Sequence, residues 1–238
     1  MLDDAQLQKI MPALAAAKRQ LYLPHLNAAM RASGIGTTML RTAAFVAQLA
    51  HESGEFRWLE EVWGPTPTQA RYEPPNPLAQ RLGNTDPGDG KRFKGRGPIQ
   101  ITGRFNYAKY GRMLGRDLVA EPALAAAPEL AFATAGLFWQ TNGLNELADA
   151  GDFTKITRRI NGGTNGLADR QMYYARAKTV LSTGFVAEPA ARGETRSRSN
   201  GSAEPLTRGY EAISRSERAV KAAAARTAKS APLRRAKA

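Results

Sequence analysis

This chain predicts a mostly helical α+β fold in which a small strand-and-loop lobe forms one wall of a cleft. Three observations predict it. Apolar residues recur at three- and four-residue steps through most of the first 181 positions, the period of helices packed on a core. One long interruption, residues 64 to 97, is dense in Pro and Gly. Directly after it, Pro98-Ile99-Gln100-Ile101-Thr102 alternates apolar and polar residues as a short strand does.

Taken in order, Leu7, Ile10, Met11, Leu14, Leu21 and Leu26 give residues 5 to 32 a helical period that Pro12 and Pro24 are expected to break. Ser33-Gly34-Ile35-Gly36 reads as a turn, and Thr37 or Thr38 as the N-cap of the next helix. That helix turns Met39, Ala43, Val46, Ala47 and Ala50 inward and stops at Ser53-Gly54, which puts Glu52 in its last turn. A loop as long as 64–97 inside a compact domain is usually functional. In the strand candidate after it, Ile99 and Ile101 face the core while Gln100 and Thr102 face the cleft. Asn106 and Tyr107 open a return to helix. Pro128 suits the first position of a helix whose Leu130, Ala131, Ala135, Phe138 and Trp139 form a thick apolar face. Short helices fit 144–149 and 152–160, the second capped by Asp152 and stopped at Asn161-Gly162-Gly163, and Asp169 is expected to cap a last helix reaching Leu181.

A length of 238 residues allows one sizeable core with chain left over. Cysteine is absent, so neither a disulfide nor a thiolate ligand or nucleophile is available. With His25 and His51 as the only histidines, a histidine-rich metal site is excluded. The N-terminus MLDDAQLQKIMPAL starts with acids and does not read as a secretory signal, and no run approaches a membrane span. Synthesis in the cytoplasm and release by another route are expected. The net charge of +13 implies a polyanionic partner. Residues 183–238 hold 12 Lys or Arg against 5 Asp or Glu, and large apolar residues almost vanish there. The expected division is a domain over 1–182 and a basic Ala/Arg/Ser-rich tail over 183–238, flexible or helical on contact with an anionic surface.

Chemistry concentrates between His51 and Glu61, where Glu52, Glu55, Glu60 and Glu61 crowd together. Glu52, anchored at the end of a buried helix, is expected to lie in apolar surroundings that disfavour its charge and suit it to donate a proton. Glu61, beyond the helix end and beside the Gly/Pro-rich loop, is expected to stay ionised and polarise water. Two acids in unlike environments across a gap are what glycoside hydrolysis requires. The bland alternative is a solvated helix end, and Glu60 rivals Glu61. His51 either tunes Glu52, bonds sugar or merely packs. Trp63 and Tyr72 either stack on a pyranose or cover core. Neither a phosphate loop nor a zinc-protease motif survives inspection: GDGKRFKG lacks the earlier Gly and the following Ser or Thr, and HESGE lacks a second His four residues after His51.

HESGEF, Glu61, Tyr72-Glu73, the block LGNTDPGDGKRFKGRGPIQITGRFNY from Leu82 to Tyr107, and RRINGG with Asp169-Arg170 downstream resemble glycoside hydrolase family 19. The similarity is to its compact bacterial and phage-associated members, the chitinase-like endolysins, and covers about residues 37 to 180. It implies a lysozyme-like fold with a substrate cleft, an inverting endo-acting mechanism, Glu52 as general acid, Glu61 as general base and Thr102 as the hydroxyl that helps hold the attacking water. Gln100, Asn106, Asn161 and Arg170 fall where the family binds sugar or ties the second carboxylate into a polar network. Arg170 is expected on the Glu61 side of the cleft; as a first-turn arginine it would otherwise be solvated, and Asn161 would otherwise end its helix in a left-handed conformation. No metal or organic cofactor is implied. Val62-Trp63 replace the Asn-Leu found after the base in some members, and the plant loops and cysteines are missing, which implies a shorter groove.

The expected substrate is a β-1,4-linked N-acetylhexosamine polymer. Lack of cysteine, lack of an export signal and the basic tail favour bacterial peptidoglycan, as for an endolysin acting at the cell wall or periplasm after release; chitin is the alternative. Glu52-Ser53 also resembles the catalytic dipeptide of lytic transglycosylases. The rival from another class is a non-catalytic basic protein that coats envelope or nucleic acid. The enzyme reading expects no nucleic-acid partner and assigns the tail to anionic envelope.

Overall fold

A computed structural model of the chain describes residues 1–189. Almost all of the basic tail, with its expected linker and conditional helix, lies outside the described residues. Among them the helices are α1 (Asp4–Ile10), α2 (Ala16–Ala32), α3 (Met39–Ser53), α4 (Pro67–Ala70), α5 (Pro77–Leu82), α6 (Asp89–Arg92), α7 (Arg104–Leu114), α8 (Pro128–Thr141), α9 (Leu144–Asp149), α10 (Phe153–Asn161) and α11 (Leu167–Leu181). None is long and apolar enough to cross a membrane.

The fold is built around α3. Every residue from Thr42 to Ala50 is buried, so the helix runs through the core instead of lying on it with one apolar stripe. Ala43, Ala44, Ala47 and Ala50 let neighbouring backbones approach on several sides, chiefly α11, while α2 packs against α8. Thr38 caps α3 by accepting from the Arg41 amide (3.2 Å), and Gly54 ends it in the left-handed conformation, as expected from Thr38 and Gly54 in the sequence.

The turn beyond Gly54 carries no local signal in the sequence. Glu55 and Phe56 are also left-handed, both at φ 58°, a conformation that costs free energy in residues with a Cβ. Tertiary contacts hold them there. The Glu55 carboxylate accepts from the Ala13 amide (2.6 Å) and the Tyr173 hydroxyl (2.7 Å). The buried Phe56 ring meets Tyr22 and Phe132 edge-on, at 6.1 and 5.0 Å between centroids. Ser53 Oγ accepts from the Phe56 amide (2.8 Å) and donates to the Leu49 carbonyl, so that hydroxyl is spent on the turn.

The small lobe corrects two expectations. Residues 64–97 contain three short helices. Thr66 and Gln69 make a reciprocal capping box on α4 with Pro67 in its first turn, and Asn76-Pro77 opens α5 in the same manner. Pro98–Thr102 is no strand: residues 97–100 close a turn, and the described residues hold only the isolated bridges Glu60–Arg96 and Arg96–Ile101. Gly97 donates to the Leu59 carbonyl (2.8 Å) and Gln100 to the Gly97 carbonyl (3.0 Å), which folds the segment back with Gln100 at φ 54°. Ile99 and Ile101 are buried as the alternation requires, but Thr102 is fully buried as well.

Pro12 falls in the break between α1 and α2, whereas Pro24 stays inside α2. Gly166, not Asp169, caps α11. Residues 183–188 stay on the body: the Val186 carbonyl accepts from the Met1 ammonium (2.5 Å), and Glu188 pairs with Arg31 (3.2 Å).

Glu55→Ala should keep the strained turn while stranding two partly buried donors, at a cost of about 2–3 kcal/mol in urea unfolding. Glu55→Gly, which removes the strain, should recover part of that loss; equal losses would show that the left-handed conformation costs nothing here.

Candidate active site

The first cluster stands at the C-terminal end of α3. Gln48 and Glu52 are one turn apart and share a face. The guanidinium of Arg170, fully buried on α11, bridges them, Nη1 donating to Gln48 Oε1 and Nη2 to Glu52 Oε1. Gln48 in turn donates to Thr157 of α10 (2.8 Å). Glu52 therefore sits in an ion pair, not in the apolar surroundings expected of it. Arg170 corrects the solvated reading: it is buried, and its partners are Gln48 and Glu52. A buried guanidinium requires a charge partner and hydrogen-bond acceptors, which the α3 pair supplies.

Beside this pair, His51 Nδ1 lies 2.6 Å from Asp169 Oδ2. Burial lowers the His51 pKa and the nearby Arg170 charge adds to the effect, against the Asp169 hydrogen bond and the Glu52 and Asp169 charges. Neutral His51 then donates from Nδ1 to the carboxylate. Gly166 is required by its φ of 68° and by His51, since a Cβ at 166 would lie 2.4 Å from Cε1 of the ring. Asn161 is buried at the last position of α10; its amide donates to the Asn165 carbonyl (2.8 Å), closing the turn into α11, and Gly162 takes the left-handed position expected of Asn161.

A second cluster surrounds Glu61. Its backbone amide donates to the Gly95 carbonyl (2.9 Å), and its carboxylate accepts from the Gly95 amide (2.9 Å) and Gln69 Nε2 (2.9 Å). Gln69 is fixed in turn by the Gly64 and Thr66 amides, which donate to its Oε1 (3.0 and 2.8 Å). A side chain at Gly95 would displace the Gln100 amide, since a Cβ would lie 2.6 Å from Gln100 Oε1 and 3.4 Å from Thr102 Oγ1. Glu61, Gly95, Gln100 and Thr102 are thus neighbours. Thr102 Oγ donates to the Gln100 carbonyl (3.1 Å), and Asn106 Nδ2 to the Thr102 carbonyl (2.8 Å). Glu60 is removed as a rival base. Lys94 (3.2 Å) and Arg96 (3.0 Å) bind it, and against the opposing effect of burial these cations lower its pKa.

One aromatic assignment changes. The Tyr72 ring is fully buried in a small cluster with Leu78 and Leu82 and offers no face to a sugar. Trp63 is half-buried on that cluster, 6.3 Å from Tyr72. Gln48 and Gln69 were not singled out from the sequence. A Gln four residues before Glu52 in an otherwise apolar run, and a Gln three residues after Thr66-Pro67, were the signals available.

The family model described as "Chitinase class I", for glycosyl hydrolase family 19, matches residues 22–152. A family 19 domain-containing protein of Haemophilus influenzae is 36% identical over 198 residues, covering 73% of this chain and 94% of that protein. An endochitinase of Arabidopsis thaliana is 41% identical over 123 residues, 51% of this chain but only 39% of the plant protein. Among solved structures, a bacterial family 19 chitinase superposes with a TM-score of 0.61 at 24% identity, covering 79% of this chain and 97% of that one. A class IV chitinase of Zea mays gives 0.57 at 26% identity, covering 79% and 96%.

A histidine whose folded-state pKa is held below its ordinary 6.5 contributes stability that is present above that value and lost as pH falls through the folded pKa, because protonation then favours the unfolded chain. Urea midpoints of the unaltered protein should therefore fall between about pH 7 and about pH 5.5 more steeply than those of His51→Gln. Parallel profiles would mean that the Asp169 contact offsets the burial.

Proposed function

Because the chain belongs to glycoside hydrolase family 19 and is a glycosidase, we propose that it cleaves β-1,4 bonds inside peptidoglycan by an inverting, endolysin-like reaction. The roles of acid for Glu52 and base for Glu61 follow the family pattern; the contrast between the two glutamates supports the end of the transfer, because a guanidinium against Glu52 favours the anion left when its proton is given up. Glu52 is gripped by a buried guanidinium, and Glu61 by two neutral N–H donors. In the proposed reaction the two face each other across the groove with a water between them. Glu61 takes a proton from that water as its oxygen bonds to the anomeric carbon; the bond to the leaving oxygen breaks, and Glu52 supplies that oxygen with a proton. As Glu52 becomes an anion, Arg170 already lies against it, so charge develops where a fixed cation waits. Thr102 and Gln100, next to Gly95, are the groups near Glu61 suited to hold the water and the sugar.

The choice of peptidoglycan rests on charge. A net +13 favours an acidic polymer over neutral chitin. A second reading, chitin hydrolysis, is supported by the names of the plant and bacterial relatives.

Purified sacculi and chitin oligomers digested side by side should give new reducing ends on sacculi in the α configuration. Activity on chitin oligomers alone would favour the second reading. Anhydro-muramyl ends with full activity after Glu61→Gln would indicate a transglycosylase, and lytic function surviving Glu52→Gln a non-catalytic protein. On the proposed reading, Glu52→Gln lowers kcat by at least about 100-fold.

Gly95→Ala tests the Glu61 cluster separately. The added methyl should displace the Gln100 amide and loosen the Gly95 contact with Glu61, lowering kcat about tenfold with little change in thermal midpoint. Unchanged kcat would remove Gln100 and the Gly95 amide from the machinery.

A further inference from the structure

Two cavities have basic linings, and Arg96, which binds Glu60, lines one of them. The first, about 550 Å³, is lined by Lys91, Arg92, Lys94, Arg96 and Glu121. The second, about 420 Å³, is lined by Arg112, Arg116 and Asp117. A hydrogen bond links their linings, from Arg92 of the first to the carbonyl of Val119 of the second (2.9 Å). Successive residues of an extended segment point opposite ways. Glu60 therefore turns to Lys94 and Arg96 and the cavity they line, while Glu61 turns to the Gly95 amide on the other side.

The acids around these cavities are largely committed. Glu60 takes Lys94 and Arg96. Glu73 accepts from the Gly88 and Lys91 amides (2.8 and 3.2 Å), and Asp117 from the Val119 and Ala120 amides (3.1 and 2.9 Å). Asp86 and Asp89 are held by Arg104, each at 2.6 Å. Among the described residues, Lys91, Arg92, Arg112 and Arg116 make no ion pair, and of the acids lining the cavities only Glu121 makes no side-chain bond. The Lys94–Glu60–Arg96 arrangement shows what such a face takes: a carboxylate between two cations.

We infer that this face binds the carboxylates of peptidoglycan stem peptides while the glycan lies against Glu61. The inference rests on the peptidoglycan reading and deepens it, because a neutral chitin chain has nothing to offer these cations. A five-residue stem spans at most about 17 Å, which sets how far from Glu61 these cations can act. Exposed pairs are individually weak, each contributing at most about fivefold in affinity, which is why several cations in one face matter.

The test uses the full-length protein and calorimetric titration with a disaccharide–pentapeptide and with chitobiose. Lys91→Glu/Arg116→Glu changes two side chains that make no bond among the described residues; Lys91→Arg is the conservative control, and thermal midpoints check folding. The unaltered protein should bind the muropeptide more tightly than chitobiose. The double variant should lose about tenfold in muropeptide affinity at low salt and little at high salt, with chitobiose unaffected and Lys91→Arg unchanged. Equal muropeptide affinity in the double variant, an equal loss for chitobiose, or no muropeptide binding by the unaltered protein would each overturn the inference. Muropeptide binding without cleavage of sacculi would instead sink the peptidoglycan reading and leave the binding face standing.

Discussion

The structure depends on a buried guanidinium. Arg170 is fully enclosed between α3 and α11, and a charge in that position is tolerable only with acceptors aimed at it. Gln48 and Glu52 provide them from one face of α3. Packing the two helices and positioning the acid half of the site are therefore coupled, since the arginine of α11 lies inside against acceptors at both 48 and 52. The elements around this contact serve it. Gly166 lets α11 start against His51, and Asn161 shapes the turn that delivers it.

The other half of the site is organised by backbone. Glu61 is held by an amide of Gly95 and by a glutamine that is itself tied to two backbone amides, so its position is inherited from main-chain geometry in a lobe almost without regular structure. Between the halves lies the left-handed run Gly54-Glu55-Phe56. Strain of that kind persists only where the surroundings over-determine it. Here Glu55 is tied to the α1–α2 connection and to α11, so the turn leading from one glutamate to the other is fixed by segments before and after it in the chain. Glu60 and Glu61 then part ways because adjacent residues of an extended segment face opposite sides. One enters a cation cluster and the other meets neutral donors, which gives two neighbouring carboxylates different chemistry.

The helices were legible because their signals are local: Thr38 and Asp152 cap where they should, Pro128 opens α8, and Gly54 and Gly162 close α3 and α10. The mostly helical, lysozyme-like class comes from those signals and from the family. The misses share one cause. Pro98–Thr102 alternates like a strand but is folded back by bonds to Leu59 and Gly97, partners that alternation does not name. Tyr72 looks like a sugar platform in a Pro-rich stretch, but Leu78 and Leu82 bury it. Glu52 was expected among apolar groups because its own helix is apolar, yet its partner comes from a helix 118 residues away.

By itself the sequence determined most ends of the longer helices, which family the chain joins, and that Glu52 would stand in the last turn of a buried helix with Glu61 beyond its end. Only the tertiary structure decided what each carboxylate touches: Arg170 for Glu52, Gln69 and Gly95 for Glu61, Lys94 and Arg96 for Glu60. The division is physical. Caps, periods and turns depend on residues a few positions apart. The environment of a charge depends on whatever the completed fold brings within about 4 Å of it, and no local pattern encodes that.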